Sequence, residues 1–154
     1  MNLTWEMVCG EFEFDGSWRD IYVLETSIAD WQSALAALRD SAFDLRYSVA
    51  GETAPLPPEA SAAFPMKGMG DRLLQVKAGG VTLNCHFFLD EQIEFDLDPR
   101  QVAGQTDLDA ILTFMNVLAD ACRKPAVLTP ENLEDRPILK VVSGSAPEYV
   151  RDPG

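Results

Sequence analysis

Three carboxylates occupy every second position of one short stretch, residues 92–99 (QIEFDLDP). Side chains of a β-strand alternate between its two faces. Glu94, Asp96 and Asp98 are therefore predicted to share one face, with the apolar residues between them on the other. Such a row can be a solvated outer face that keeps the protein soluble, or a docking surface for a basic partner, and the sequence leaves both interpretations open.

His86 is the only histidine of the chain, and it could act as a general base if a carboxylate oriented its ring. Cys85 precedes it, but neighbours in a strand point to opposite faces, so we predict no Cys–His nucleophile. Cys85 is expected to be buried and inert. Because no serine or cysteine is predicted within reach of His86, we favour a surface pair of His86 and Asp96 over a catalytic one.

The sequence predicts no metal, cofactor or phosphate site. One histidine and three scattered cysteines do not form the spaced ligand sets of structural zinc. Carboxylates two residues apart on a strand stand about 6.8 Å from one another, too far to chelate one calcium ion alone. Residues 67–71 (KGMGD) lack the Gly-Lys-Ser/Thr ending of a phosphate loop, so we interpret Gly68 and Gly70 as loop glycines.

The charge balance narrows the class of partner. The chain has 25 acidic residues against 12 Lys and Arg, a formal net charge of −13. This excess disfavours binding to nucleic acid or to anionic membranes, both of which attract clustered basic residues. It favours a basic partner or a cation, or it serves solubility alone.

The sequence also predicts a cytoplasmic protein. No secretory signal is visible at the start, and no apolar run approaches the roughly 18 residues of a membrane span. Three widely spaced cysteines suit free thiols in a reducing compartment better than a disulfide framework.

Two amphipathic helices are predicted. The first follows Ser27, which can cap it, with Asp30 three residues on. The second follows Thr106, which is paired in the same way with Asp109, and Pro125 enforces its stop. Each helix has an apolar stripe on one side, so each must cover another apolar surface.

Most of the remaining chain has the pattern of strands. Residues 3–14 and 17–25 flank Asp15-Gly16, a hairpin signal. Further strands are predicted at 43–50, 72–78, 81–89, 92–98, 125–129 and 136–142. The stretch 50–65 is rich in proline and small residues and predicts a long loop.

The three central strands can be aligned with one another. A turn at Gly79-Gly80 and a three-residue loop at 90–92 place every apolar residue on one face, and a one-residue slip would destroy that agreement. Two pairings on the polar side follow from this alignment: His86 with Asp96, and Asn84 with Asp98.

We therefore predict an α+β fold, an antiparallel sheet with the two main helices packed on one face. A single domain is expected over residues 1–142, followed by a flexible tail at 143–154. The other face of the sheet would then be open to solvent or to a partner.

The candidate partner-binding residues lie on that open face and on a second acidic segment. Those on the open face are Asn84, His86, Phe88, Glu94, Asp96 and Asp98. Glu11 and Glu13 alternate with phenylalanines in the predicted hairpin, so two acidic strands could form one extended negative surface. Trp18, Tyr22 or Phe88 would be its aromatic anchors. Protection of the sheet against aggregation is the alternative interpretation.

Two motifs in residues 80–142 resemble small bacterial immunity-type proteins found beside polymorphic toxins. In those proteins an acid-x-acid-Pro segment ends a strand before a helix, and a Thr-Pro-Glu-Asn turn precedes a final strand. The matching residues here are Asp96, Asp98, Pro99, Thr129, Pro130, Glu131, Asn132, Pro137 and Ile138. The resemblance implies an acidic cytoplasmic protein that plugs a toxin active site or docks beside it.

The sequence supports two functional hypotheses. The first is a non-enzymatic acidic binding protein, an immunity protein that neutralises a toxin through a carboxylate-rich surface. The alternative is a small ligand-binding domain or enzyme, with a pocket between the sheet and residues 50–70 and with His86 and Asp96 at its mouth. A subunit of a larger assembly is a third possibility, for which the sequence has no specific sign.

Overall fold

A computed structural model describes residues 3–65 and 70–150. The described helices are α1 (Trp5–Val8), α2 (Ile28–Asp40), α3 (Ala60–Ala63) and α4 (Gln105–Cys122), with 3-10 helices at Cys9–Phe12 and Pro99–Gln101. The described strands are β1 (Arg19–Leu24), β2 (Asp44–Val49), β3 (Glu52–Ala54), β4 (Arg72–Ala78), β5 (Val81–Cys85), β6 (Gln92–Leu97), β7 (Ala126–Pro130), β8 (Leu139–Val141) and β9 (Glu148–Tyr149).

The strands of the described residues form one sheet in the order β3-β2-β4-β5-β6-β1-β7-β8-β9. Every neighbouring pair is antiparallel. The first strand of the chain therefore lies in the middle of the sheet, between β6 and β7. The predicted α+β class with an antiparallel sheet is confirmed.

Alternating side chains give the sheet one apolar face. Ile21 of β1 and Phe95 of β6 are neighbours across the two strands, and both are buried. Phe114 of α4 packs edge-on against Phe95, with ring centroids 4.9 Å apart, so α4 covers this apolar face. Helix α2 contacts α4, and its Trp31 lies 5.5 Å from the ring of Phe87. That both helices share one face stays a prediction. We call the opposite face of the sheet the polar face.

The helix starts follow the sequence in one case and differ in the other. Ser27 and Asp30 form the predicted capping box of α2. Helix α4 begins at Gln105 after Gly104, so the prediction of Thr106 as its cap is wrong. Asp107 instead accepts hydrogen bonds from the backbone N–H groups of Gly80 (2.8 Å) and Ala103 (2.9 Å). The first turn of the helix is thereby tied to the glycine turn between β4 and β5.

The predicted N-terminal hairpin is wrong, because residues 5–12 are helical. Trp5, Val8 and Phe12 have helical spacing, and the rings of Trp5 and Phe12 stack 5.8 Å apart. The guanidinium of Arg19, which is buried, holds the segment that follows. It donates to the carbonyls of Glu11 (2.9 Å), Glu13 (3.0 Å) and Ser17 (3.1 Å).

The alignment of the central strands is confirmed for β4 and β5 and wrong by two residues for β5 and β6. All predicted β4–β5 pairs are present. Asn84, however, pairs with Asp96 rather than with Asp98. Strand β5 ends at Cys85, because Phe87 adopts a left-handed backbone with φ +55° and turns the chain early. A shift of two residues preserves the face of each side chain, so the division into apolar and polar faces survives.

The stretch 50–65 is more structured than the predicted long loop, since it contains β3 and α3. It packs against α2. Gln32 of that helix accepts a hydrogen bond from the Ala60 N–H and donates one to the Pro58 carbonyl, both at 2.7 Å. Arg39 donates to the Pro57 carbonyl. Residues 67–69 of the glycine-containing motif lie outside the described residues.

The sheet continues past residue 142, where we predicted that the domain ends. Strand β9 pairs with β8, and the Val150 N–H donates to the Ile138 carbonyl at 2.7 Å. Residues 151–154 of the predicted tail are outside the described residues. Across residues 3–65 and 70–150, no helix combines the length and the apolar character that crossing a bilayer requires.

Candidate partner-binding face

A row of polar side chains crosses the polar face from β4 to β7. Gln75 lies beside Asn84, Asn84 beside Asp96, Asp96 beside Asp20, and Asp20 beside Thr129. The Gln75 amide donates to Asn84 Oδ1 (3.1 Å), and the Asn84 amide donates to Asp96 Oδ1 (3.0 Å). The amide groups thus form a chain of donors that ends on a carboxylate, and a second carboxylate lies on the next strand.

Asp20 is the most enclosed acid of this row, with 4% of its surface exposed. Its Oδ2 accepts hydrogen bonds from the Asn132 N–H (2.7 Å) and the Tyr22 hydroxyl (3.0 Å). The pKa of Asp20 is raised to about 6, mainly by burial, with a smaller rise from the negative charges of Glu94 and Asp96 and an opposing effect of those two hydrogen bonds. The surroundings of Asp20 therefore favour its protonated form more than those of an ordinary aspartate.

Tyr22 is buried directly opposite Glu94, so the prediction that it could be an exposed anchor is wrong. Burial raises the pKa of its hydroxyl, and the carboxylates of Glu94 and Asp20 raise it as well. A neutral phenol in this position can donate only one hydrogen bond, and it lies between two acids that can accept it.

Asp96 is half-buried and lies close to His86, as we predicted, although the two do not pair across the strands. His86 Nε2 is 3.7 Å from Asp96 Oδ2. Burial raises the pKa of the Asp96 carboxyl, as does the charge of Glu131, whereas the Asn84 hydrogen bond and His86 lower it. The contact forms because the chain turns just after β5 and brings the imidazole back over the neighbouring strand.

Asp20, Glu94, Asp96 and Glu131 together form what we call the acidic cluster. Within residues 3–65 and 70–150, none of the four has a Lys or Arg nitrogen within 4.0 Å of its carboxylate. Asp20 and Asp96, which lose solvent without gaining such a cation, are held as anions at a free-energy cost. The cluster is therefore a negative site that a cationic group from outside would stabilise.

The polar face carries charges of both signs towards β2 and β4. The strand registers put Arg46 beside Gln75 and Lys77 beside Asp44, on the same face as Asn84. A cavity of about 330 Å³ opens there, and its lining includes Asp44, Arg46 and Lys77. A partner that lies across this face would meet mixed charges at one side and the acidic cluster at the other.

Three of the acidic residues predicted for the site lie outside the acidic cluster. Asp98 caps the 3-10 helix that follows β6, accepts the Arg100 N–H at 3.0 Å and pairs with its guanidinium at 2.9 Å. Glu11 accepts a hydrogen bond from the Tyr149 hydroxyl at 2.9 Å. The side chain of Glu13 is exposed on the segment that follows the N-terminal helices. Because Glu11 lies in a 3-10 helix and Glu13 in the segment after it, the prediction of a second acidic strand is wrong.

Sequence reasoning missed Asp20, and it named Glu131 and Asn132 only through the family resemblance. Alternation in the β1 residues could have put Asp20 and Tyr22 on one face, but not beside β6, because strands distant in sequence carry no local pairing signal. The backbone N–H of Asn132 reaches Asp20, with the residue at φ +62°.

Residues 86–91 form a loop that stands beside the acidic cluster. Its first residue, His86, has a side chain 41% exposed and stacks on the ring of Phe88 with centroids 5.2 Å apart. The exposed fractions of Phe88 and Leu89 are 67% and 54%. Phe87 points the other way and is buried. We call this segment the 86–91 loop.

The burial of Cys85 and the positions of the acidic side chains bear on nucleophilic and metal chemistry near the polar face. Cys85 is fully buried, as predicted, and burial raises the pKa of its thiol. In the described part of the chain, no group of three or more His, Cys, Asp or Glu side chains is placed to hold a metal ion.

Comparisons with protein-family models, with curated proteins and with solved structures find no match to this chain.

Proposed function

We propose that this protein is a non-enzymatic binding protein that holds a basic protein partner against its polar face. The observation that carries the proposal is the acidic cluster, in which Asp20 and Asp96 are desolvated and no carboxylate has a Lys or Arg partner among the described residues. A Lys or Arg of the partner would supply the missing charge. The net charge of −13 would also accelerate the encounter with a basic surface.

The partner that we propose is a toxin, which the protein neutralises as an immunity protein. The two motifs of the resemblance support this part of the proposal because both reach the acidic cluster. Asp96 belongs to the acid-x-acid-Pro motif, whereas Glu131 and Asn132 belong to the Thr-Pro-Glu-Asn turn, and Asn132 bonds to Asp20. A cytoplasmic location is part of the proposal, and the free state of Cys9, Cys85 and Cys122 supports it.

The direct test is titration calorimetry against the toxin-like product of the gene next to this one, at low salt. We expect binding at micromolar concentration or tighter, which added salt weakens. The variant E94Q/D96N should bind at least about 30-fold more weakly, since truncating close charge pairs costs about 2–5 kcal/mol. D40N/E59Q, which also removes two negative charges but from exposed positions elsewhere, is the matched control.

Two results would count against the proposal. Absence of binding by the unmodified protein at micromolar concentration and low salt would remove its main support. Equal weakening by E94Q/D96N and D40N/E59Q would show that overall charge, and not the acidic cluster, attracts the partner.

The second candidate, a small ligand-binding domain or enzyme, is favoured by one observation. Asp20 has a pKa of about 6 and lies beside Asp96, an arrangement that can serve proton transfer. Residues 58–60, in the described part of the 50–70 segment, hydrogen-bond to α2, however, whereas Asp96 lies on the polar face. An activity that His86→Ala abolishes without loss of the fold would favour this candidate, and an unchanged activity would reject His86 as its base.

A further inference from the structure

The backbone of the 86–91 loop is strained at one residue. Phe87 has φ +55°, a left-handed conformation that is rare and strained for a bulky side chain. Such a conformation persists only where the surrounding contacts enforce it. The ring of Phe87 is buried among Trp31, Tyr47 and Phe64, at centroid distances of 5.5, 5.9 and 5.4 Å.

Hydrogen bonds fix the far side of the same loop. The carbonyl of Asp90 accepts from the Trp31 indole N–H (3.1 Å) and from the Thr26 hydroxyl (2.8 Å). The carbonyl of Glu91 accepts from the Thr26 N–H at 2.9 Å. The loop is therefore held on both sides of Phe88 and Leu89, although these two side chains are themselves exposed.

This rigid support presents apolar surface to the solvent. Phe88 and Leu89 have the largest exposed fractions among the large apolar side chains of the described residues. Burial of a Phe or a Leu side chain is favourable, so a partner that covers Phe88 and Leu89 would gain free energy that the isolated chain does not. A preformed loop would also lose little conformational entropy on binding.

We propose that the 86–91 loop is the anchor of the partner-binding face. Phe88 and Leu89 enter an apolar recess of the basic partner protein, and Lys or Arg side chains at the rim of that recess reach Asp96 and Glu94. This inference rests on the proposed function. It identifies the part of the polar face that contributes most of the binding free energy, since hot spots are apolar or aromatic anchors surrounded by polar contacts.

Charge identifies the occupant as a basic protein rather than a second copy of this chain. His86 stacks on Phe88 and lies 3.7 Å from Asp96, so whatever covers the ring of Phe88 comes close to the acidic cluster. A second copy would bring its own acidic cluster to the same place, between two chains that each carry a net charge of −13. Like charges that face one another across an interface disfavour association.

The experiment compares two double variants by calorimetry with the toxin-like product of the neighbouring gene. F88A/L89A removes the anchor, and we expect its affinity to fall at least about 30-fold, as for truncated hot spots. M7A/V142A removes two other exposed apolar side chains and should bind within about 3-fold of the unmodified protein. Thermal unfolding of both variants verifies that these surface changes leave the fold intact.

The possible outcomes separate this inference from the proposed function. If the unmodified protein binds and F88A/L89A binds equally well, the anchor is overturned and the proposed function stands. If the unmodified protein does not bind, the proposed function fails and the anchor fails with it. If the protein alone sediments as a dimer that F88A/L89A dissociates, the occupant is a second copy and our inference is wrong.

Discussion

Asp30 and Asp20 are both aspartates at the edge of the core, but they differ in what neutralises them. Lys124 Nζ lies 2.6 Å from Asp30 Oδ2, and its hydrogen bond lowers the pKa of that carboxyl, with a smaller lowering from Ser27. Asp20 receives only a backbone N–H and a phenol, and burial raises its pKa to about 6. The surroundings of Asp30 stabilise its ionised form, whereas those of Asp20 destabilise its ionised form.

The difference shows that this chain can place cations beside its acids where they serve the fold. Asp98 is another example, since Arg100 lowers its pKa. The acidic cluster lacks such a residue within the described parts of the chain. Costs of this kind are expected where a site is reserved for function. The cluster thus differs from the paired acids in environment, as the proposed binding role would require.

Removing the charge of Asp20 should produce the largest effect. The pKa of about 6 lies well above the ordinary aspartate value of 3.8, which corresponds to a cost of about 3 kcal/mol at pH 7. We expect Asp20→Asn to raise the free energy of unfolding by about 1–3 kcal/mol, because an amide oxygen can accept the same hydrogen bonds without a charge. Urea denaturation at pH 7 measures this change.

Asp20→Ala is the matched control for that prediction, because it removes the same charge together with the acceptor. It leaves the Asn132 N–H and the Tyr22 hydroxyl without this partner, at a cost of about 1–3 kcal/mol. Asp20→Ala should therefore be less stable than Asp20→Asn. A loss of stability in Asp20→Asn itself would contradict the contrast between the two aspartates.

Replacing Asp30 should have an effect of opposite sign. Asp30→Ala removes half of the capping box of α2 and the partner of Lys124, so we expect a loss of about 1–2 kcal/mol in the free energy of unfolding. Lys124→Met removes only the cation and should cost less. If both variants are as stable as the unmodified protein, the Asp30–Lys124 pair does not stabilise the fold, and the expected contrast with Asp20 is wrong.

The two groups of acids also predict opposite pH dependence. Because the folded-state pKa of Asp20 is raised, its protonation stabilises the fold below about 3.8, and this contribution is lost as the pH rises through about 6. The lowered pKa of Asp30 gives a contribution present above 3.8 and lost as the pH falls. The advantage of Asp20→Asn should therefore shrink by about 1 kcal/mol between pH 7 and pH 5. An advantage that stays constant over that range would show that Asp20 does not titrate there.

The smallest effect is expected for Arg100→Ala, which removes the cation beside Asp98. The guanidinium is exposed and also lies over the ring of Phe14, 4.0 Å from its centroid. Exposed ion pairs are screened by water and salt, so we expect only a slight decrease in the midpoint of thermal unfolding. A decrease as large as that of Asp30→Ala would mean that exposure does not separate these two pairs.

Local signals in the sequence predicted the parts of the fold that depend on neighbours along the chain. The capping box at Ser27 is one, and the β4–β5 register is another. The Gly79-Gly80 turn sets that register, and a β-carbon at Gly79 would come within 3.0 Å of Asp107 Oδ1. Residues close together in the sequence determine both features, so both can be predicted from the sequence alone.

The errors arose where contacts distant in sequence override the local pattern. The left-handed turn at Phe87 depends on three aromatic rings from other elements, and no propensity favours it at a phenylalanine. At the N-terminus, alternating Glu and Phe suggested a strand, although Trp5, Val8 and Phe12 also have helical spacing. Asp20 entered the site only through pairing with β6, which begins 68 residues after β1 ends. The sequence thus predicted the polar residues of β5 and β6 and missed Asp20, the buried acid of β1.

The central position of β1 has a consequence for biosynthesis. Both of its partners, β6 and β7, are translated long after it, and about 100 residues separate Leu24 from Ala126. At about 5–20 residues per second, the ribosome needs roughly 5–20 s to deliver the last partner. A nascent chain truncated anywhere before β6 would keep the hydrogen-bonding edges of β1 unsatisfied, which makes premature termination products candidates for chaperone capture and degradation.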